Sequence, residues 1–382
     1  MANTAQVAII GGGIMGTSIA YHLAKRGMKD IVIFEREEAL GTGATGKCAG
    51  GVRLQFSTAA NIEMSRISIA ALERFEEELD EPVDFKRNGY LFVLTTEEDL
   101  EAFRANAERQ REMGVPVEVL TPEEARGIVA QLYIDDLVGA TFCNADGIAN
   151  PHAIVQGYAK NARRLGVDII KSSEVTGIEV SGGHARAVVA DAERWEAQWV
   201  VNAAGPWAKG VGEMAGVDVP VEPVRRQYFI TQPMAWIADT FPLLIDWGTG
   251  VYMHQESGRL LIGEADPDEP PSFNQRVDWD FLAQVSEHAI ARVPAVEEAE
   301  VRTTVAGLYE VSPDHNAIIG KVPELENFVC ANGFSGHGMQ HAPAVGLSVS
   351  ELILDGRSTS VDLEPYRLER FQDDVVPELN VI

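Results

Sequence analysis

The sequence predicts an α/β fold, and three observations carry that reading. Residues 7–10, Val-Ala-Ile-Ile, form a short apolar run of the kind that fills a strand buried on both faces of a parallel sheet. Glycine follows at once, at Gly11, Gly13 and Gly16, and a helical pattern then runs to a stop at Gly27. A second apolar run, residues 31–34, completes a strand–helix–strand unit. With 382 residues, 46% hydrophobic and 23% charged, the chain has ample core for two or three domains.

The spacing of these glycines is G-x-G-x-x-G, and each has its own reason. Gly11 allows the tight turn, Gly13 lets backbone approach a pyrophosphate, and Gly16 lets helix and strand pack closely. The helix opening at Ile14 and Met15 offers free N–H groups and the positive end of its dipole to phosphate. Glu35, at the end of the second strand, stands where a ribose hydroxyl is hydrogen-bonded, with Arg36 beside it. A glycine turn in an ordinary α/β domain would leave Glu35 unexplained. An acid there also disfavours a 2′-phosphate, so the unit is a Rossmann-like site for NAD or FAD.

Three further segments decide between these two. In "GTGATGKCAGGVRLQF" (41–56), Thr42, Gly43, Thr45, Gly46, Lys47, Cys48, Ala49 and Gly50 come directly after the ribose acid, so a long ligand continues past it. "VVNAAGPWA" (200–208) is an apolar strand that breaks at Ala204 and Gly205 before Trp207. "GFSGHGMQHAPAVG" (333–346) has no clear period until the helix-like "AVGLSVSELIL". One nicotinamide cofactor rarely needs glycine backbone this dispersed, so FAD is expected.

Between these segments the elements read in order. "NGYLFVLTTEEDLEAFRANAERQREMG" is a strand and then a solvated helix. "NPHAIVQGYAKNARRLGVDII" has Asn150 as N-cap, Pro151 in the first turn and Gly166 as stop. "VDII" and "EVTGIEV" return to a sheet, and "YMHQESGRLLIGEA" is a hairpin turning at "ESG".

The net charge is −27, from 31 Lys+Arg and 58 Asp+Glu, and such a surface repels phosphates, so nucleic acid is not an expected partner. No apolar run reaches the ~18 residues of a membrane span. The N-terminus carries no basic region or cleavage site of a secretory signal, so a cytoplasmic location is expected. Three dispersed cysteines, Cys48, Cys143 and Cys330, fit neither a disulfide framework nor a zinc site.

The glycine motif, "KCAGGVRLQF", "FKRNGYLFVL", "TPEEA", "PVEPVRRQYFITQP" and "SPDHNAIIG" together resemble the D-amino-acid oxidase-like FAD-dependent oxidoreductases over nearly the whole chain. The likeness is greatest to the β subunits of heteromeric sarcosine oxidase and dye-linked L-proline dehydrogenase. It implies a discontinuous FAD-binding domain from 1–84, 141–215 and 322–382. A substrate-binding α+β domain with a mixed or antiparallel sheet would come from 85–140 and 216–321. The implied activity is oxidation of a small secondary or α-amino acid, such as sarcosine, proline, hydroxyproline or glycine, by hydride transfer from its α-carbon to flavin N5. A partner subunit or homo-oligomer is a further implication, and the electron acceptor stays open.

The resemblance also assigns residues. Val175 would offer backbone to adenine, and Gly336, His337, Gly338, Met339 and Gln340 would cradle the flavin. Arg53 is read as the partner of a substrate carboxylate or as a flavin-phosphate contact. Tyr252 and Tyr309 are read as substrate contacts or as core residues with satisfied hydroxyls. Gln340 stands where related sarcosine oxidases carry a carboxylate-binding lysine, and can still donate one hydrogen bond. Gly307 replaces the cysteine to which those oxidases attach FAD, so FAD is expected to be non-covalent. Their oxygen-activating lysine falls near Leu261, in a hairpin without lysine, which favours a dehydrogenase over an oxidase.

Overall fold

The computed structural model describes residues 3–373 and 375–381. The first three elements form where the apolar runs place them: β1 (Asn3–Ile10), α1 (Ile14–Lys25) and β2 (Ile31–Phe34). β1 is central in its sheet. It pairs in parallel with β2 on one side and with Glu193–Asn202 on the other, and Leu325–Asn332 continues the parallel order. Val7 and Ile9 pack with α1, whereas Ala8 and Ile10 pack on the opposite face, so the run needs apolar side chains at every position. Each fully buried isoleucine there contributes roughly 2 kcal/mol from apolar area removed from water.

A second sheet of eight strands has the order Val301–Val311, Glu222–Thr231, Arg259–Glu264, Tyr252–Glu256, Leu243–Asp246, Tyr90–Leu94, Gly139–Cys143, Val117–Leu120. All its neighbours are antiparallel except Leu243–Asp246 with Tyr90–Leu94, which makes the sheet mixed. Helix Trp279–Arg292 packs Phe281, Leu282, Val285 and Ala289 into an apolar cluster with Leu260 and Ile262 of this sheet. The expected boundaries at 140/141 and 321/322 both fall inside strands. Gly139–Cys143 belongs wholly to the second sheet and Ile318–Val322 to the first, because each is held by its cross-strand partners.

Helix Pro151–Arg164 begins as its sequence requires, with Asn150 Oδ1 accepting from the N–H groups of His152 and Ala153 at 3.0 and 3.1 Å. The last long helix does not begin where periodicity suggests. It runs Gly338–Asp355 and contains Pro343, which has no N–H to give to the preceding turn. The helix is also tied to α1, where Ser18 Oγ donates to the Ala342 carbonyl at 2.7 Å. At Gly346 a Cβ would stand 2.2 Å from Ser18 Oγ, so glycine sets how closely the two helices cross.

α2 (Ala59–Glu73) starts at Thr58, whose own side chain makes no capping bond. The cap comes from far along the chain instead. Glu378 accepts from the N–H and hydroxyl of Ser57, both at 2.7 Å, from those of Thr58, and from Asn61 Nδ2 at 3.0 Å. No helix among the described residues is long and apolar enough to cross a membrane.

Candidate active site and cofactor cavity

Residues of both sheets wall a cavity of about 800 Å³, a volume that suits a cofactor. At one end lies the glycine turn. Gly11 has φ +112°, and a Cβ there would stand 2.3 Å from the Ala203 carbonyl oxygen. Gly16 is equally constrained, with a Cβ position 2.0 Å from the Gly11 carbonyl oxygen. α1 has no side chain capping its start from Gly13, so its N-terminus opens to the cavity with only Thr45 Oγ1 near the Ile14 N–H, at 3.3 Å. The Glu35 carboxylate is fixed in the wall by the N–H groups of Gly12 and Glu37, both at 2.8 Å. Arg36 lies 3.7 Å above the Trp207 ring, and Trp207 stacks on Phe273.

From there Thr42, Gly43, Lys47, Cys48 and Ala49 line one side, with Val175, Ala204 and Gly205 nearby. Gly307, Gly336, Gly338 and Met339 also line the cavity. A helix N-terminus for pyrophosphate and a stretch of bare backbone in the same wall fit the chemistry of FAD. At Gly336 a Cβ would meet the Tyr309 ring at 2.4 Å, so only glycine leaves this backbone in place.

Tyr228, Tyr252 and Tyr309 form a further part of the wall. Tyr228 and Tyr252 both pair with Gly263, and Arg226 lies across from Gly307, so two bare positions sit among large side chains. Burial pushes the hydroxyls of Tyr228 and Tyr252 above their ordinary range and that of Tyr309 up to about 12. All three are neutral hydrogen-bonding groups at physiological pH. Burial likewise raises the Cys48 thiol, which therefore has little thiolate character.

Two assigned residues occupy different positions from those expected. Arg53 is 3% exposed and does not line the cavity. Its Nη1 donates to the Gln55 carbonyl at 3.0 Å, and its Nη2 to His337 Nε2 at 3.0 Å and to the Asn380 carbonyl. Its guanidinium also stacks 4.3 Å from the Phe56 ring. The structure thus does not bring Arg53 into the cavity lining, where the substrate-carboxylate and flavin-phosphate readings would need it, and turns three of its donors into the protein. Gln340 is turned the same way, its Oε1 accepting from the Arg53 N–H at 2.6 Å, and it braces Arg53 instead of facing a substrate.

The histidines are not placed as bases. Burial, with Arg53 beside it, holds His337 well below its ordinary range, and its Nε2 accepts from Arg53. His341 is lowered to about 3 by burial, and its Nε2 lies 2.9 Å from Ser65 Oγ. Gly16, Gly46 and Gly50 stand behind the lining, where they hold turns against neighbouring carbonyls.

Sequence reasoning missed Arg226, Tyr228, Glu310 and Phe273, all of which line the cavity. Arg226 and Tyr228 are two apart on one strand and hence share a face, a signal present in "PVEPVRRQYF". Glu310 lines the cavity; burial pushes its carboxyl up to about 8, opposed by the Gly333 N–H that it accepts at 3.1 Å. Phe273 lies in an irregular loop, where periodicity gives no direction.

A family model described as FAD dependent oxidoreductase (DAO) matches residues 6–352. FAD-dependent oxidoreductase domain-containing protein 1 of Xenopus laevis is 32% identical, over 99% of this chain and 85% of its own length. Human mitochondrial sarcosine dehydrogenase is 31% identical over 97% of this chain, which spans only 42% of that longer protein. The crystal structure of L-proline dehydrogenase from P. horikoshii superposes with a TM-score of 0.92 and 34% identity, covering 98% of this chain and 100% of that one.

Proposed function

The chain belongs to the DAO family of FAD-dependent oxidoreductases, and from that premise we propose that it is a dehydrogenase for a small secondary or α-amino acid of the sarcosine, proline, hydroxyproline or glycine type. The observation that carries this reading is the stretch of cavity wall formed by Tyr228, Tyr252 and Tyr309, which offers neutral donors and no imidazole. The neighbouring Glu310 carboxyl is raised by burial to about 8 and hence largely protonated at neutral pH. Such a site suits loss of hydride from the α-carbon of a neutral amine, since that step needs orientation and dryness more than a base. FAD, when bound, supplies the acceptor for that hydride. Tyr228, Tyr252 and Tyr309 would orient the substrate and exclude water, and the 336–339 backbone would support developing negative charge through its N–H groups.

Leu261 is buried and apolar, and the strand that carries it, Arg259–Glu264, has no lysine to favour superoxide formation. Electrons are accordingly assigned to an acceptor other than dioxygen. The test is anaerobic mixing of the purified yellow protein with a panel of amino acids. Sarcosine or proline types should bleach the visible flavin band, and an artificial dye should restore it. Bleaching by 2-hydroxy acids alone would overturn the substrate class, and stoichiometric hydrogen peroxide in air would overturn the acceptor.

The attachment of FAD has its own test. Gly307 offers no side chain for a thioether, and the Cβ position there is already crowded by Lys47 at 2.7 Å. Acid precipitation of the holoprotein should leave all the flavin in the supernatant. Colour retained in the pellet would show a covalent bond.

A further inference from the structure

We infer that Arg226 receives the carboxylate of the substrate, an assignment that deepens the reading above and rests on it. Arg226 lies on the strand Glu222–Thr231 and lines the cavity. Its guanidinium carbon is 5.5 Å from the centre of the Tyr309 ring. Nη1 donates to the neighbouring Arg225 carbonyl at 3.0 Å, whereas Nε is buried without a partner. Among the described residues no carboxylate stands in ion-pair range of it. The contrast with other arginines is direct: Arg225 grips Glu269 at 2.6 Å, Arg292 grips Asp246 at 2.8 Å, and Arg370 grips Asp314 at 2.8 Å.

A guanidinium is always charged at physiological pH, and removing it from water without an anion is costly. The protein supplies this cation with an aromatic face and neutral hydroxyls but no counterion. The missing chemistry is an anionic oxygen. It has two sources in such a cavity, a cofactor phosphate or a substrate carboxylate, and the titration below separates them. Arg226 stacks on Tyr309, whose ring packs on Gly336. Arg53, the other arginine near Tyr309, does not line the cavity and gives three of its donors to Gln55, His337 and Asn380. The site therefore selects amines that carry a carboxylate.

The test uses the FAD-loaded protein and two non-reacting probes, propanoate and its neutral isostere propanamide. Each is titrated while the visible spectrum of the bound flavin is followed. The parent protein should bind propanoate about tenfold or more tightly than propanamide, Arg226→Met should lose that preference, and Arg226→Lys should keep part of it. FAD affinity, measured by fluorescence, should stay within about twofold in both variants. If R226M holds no FAD, R226K decides by the same ratio. A carboxylate preference that survives in the variants overturns the assignment, as does its absence in the parent. Loss of FAD from both variants also overturns it, since that places the guanidinium on a cofactor phosphate. Turnover plays no part in this measurement, so a chain that binds propanoate through Arg226 yet is bleached by no amino acid would sink only the earlier reading.

Discussion

Purified Gly11→Val protein will be colourless. A Cβ at this position stands 2.3 Å from the Ala203 carbonyl oxygen, 2.9 Å from its carbon and 3.2 Å from Ala204 Cα. All three are backbone atoms, so no rotamer change relieves the clash. The φ of +112° adds strain that a β-branched residue cannot relieve. Ala203 and Ala204 themselves line the cavity, so any relief displaces the wall against which the cofactor would lie. A penalty of about 3 kcal/mol or more corresponds to a loss of FAD affinity of about a hundredfold or more. Fluorescence titration of FAD into the apoprotein measures it. Gly27→Ala is the control. Gly27 also has positive φ, +94°, but nothing lies within 4 Å of a Cβ there, so that variant should stay yellow. A yellow Gly11→Val protein would refute the steric account.

The second large effect is on stability. Glu378→Ala should destabilise the protein by about 3 kcal/mol, read as a shift in the urea midpoint at unchanged slope. The substitution leaves the N–H groups of Ser57 and Thr58 and the amide of Asn61 without their acceptor at the start of α2. It also loosens a helix that supports others: Ser65 holds His341, and Ser68 Oγ accepts from the Ala344 N–H at 3.2 Å. Burial alone would raise the Glu378 carboxyl. Hydrogen bonds from Asn61 and Ser57, with the Arg53 charge, outweigh burial and hold it below the ordinary carboxylate range. A group whose folded pKa is depressed stabilises above its unfolded value, about 4.3, and loses that contribution as pH falls through the folded value. Parent and variant should therefore differ fully at neutral pH and converge in acid. A constant difference down to pH ~3 would contradict the ionic role of Glu378.

Much of the fold was legible in the sequence because local chemistry dictates it. The run at 7–10, the three glycines and Glu35 each have a physical reason that needs no distant partner. Asn150 before Pro151 fixes a helix start in the same way. The site was legible where backbone matters and obscure where side chains choose direction. Gly11, Gly13, Gly43, Gly205, Gly307, Gly336 and Gly338 line the cavity, but Arg53 turns inward to Gln55, His337 and Asn380, and Gln340 turns to the Arg53 N–H. Those partners lie up to 327 residues away along the chain, beyond any local pattern. Arg226 shared its strand with another arginine, and only cross-strand register separates the one that pairs with Glu269 from the one that faces the cavity.

The cavity wall is contributed by segments scattered from Ile10 to Met339, with the second sheet's contribution, between Glu222 and Glu310, lying between stretches that belong to the first. No cut through such a chain yields a fragment that keeps the pocket and another that keeps the selectivity. A fusion that carries this pocket into a longer protein must therefore carry the stretch from Ile10 to Met339. Its intact recurrence inside a longer relative is what that indivisibility requires.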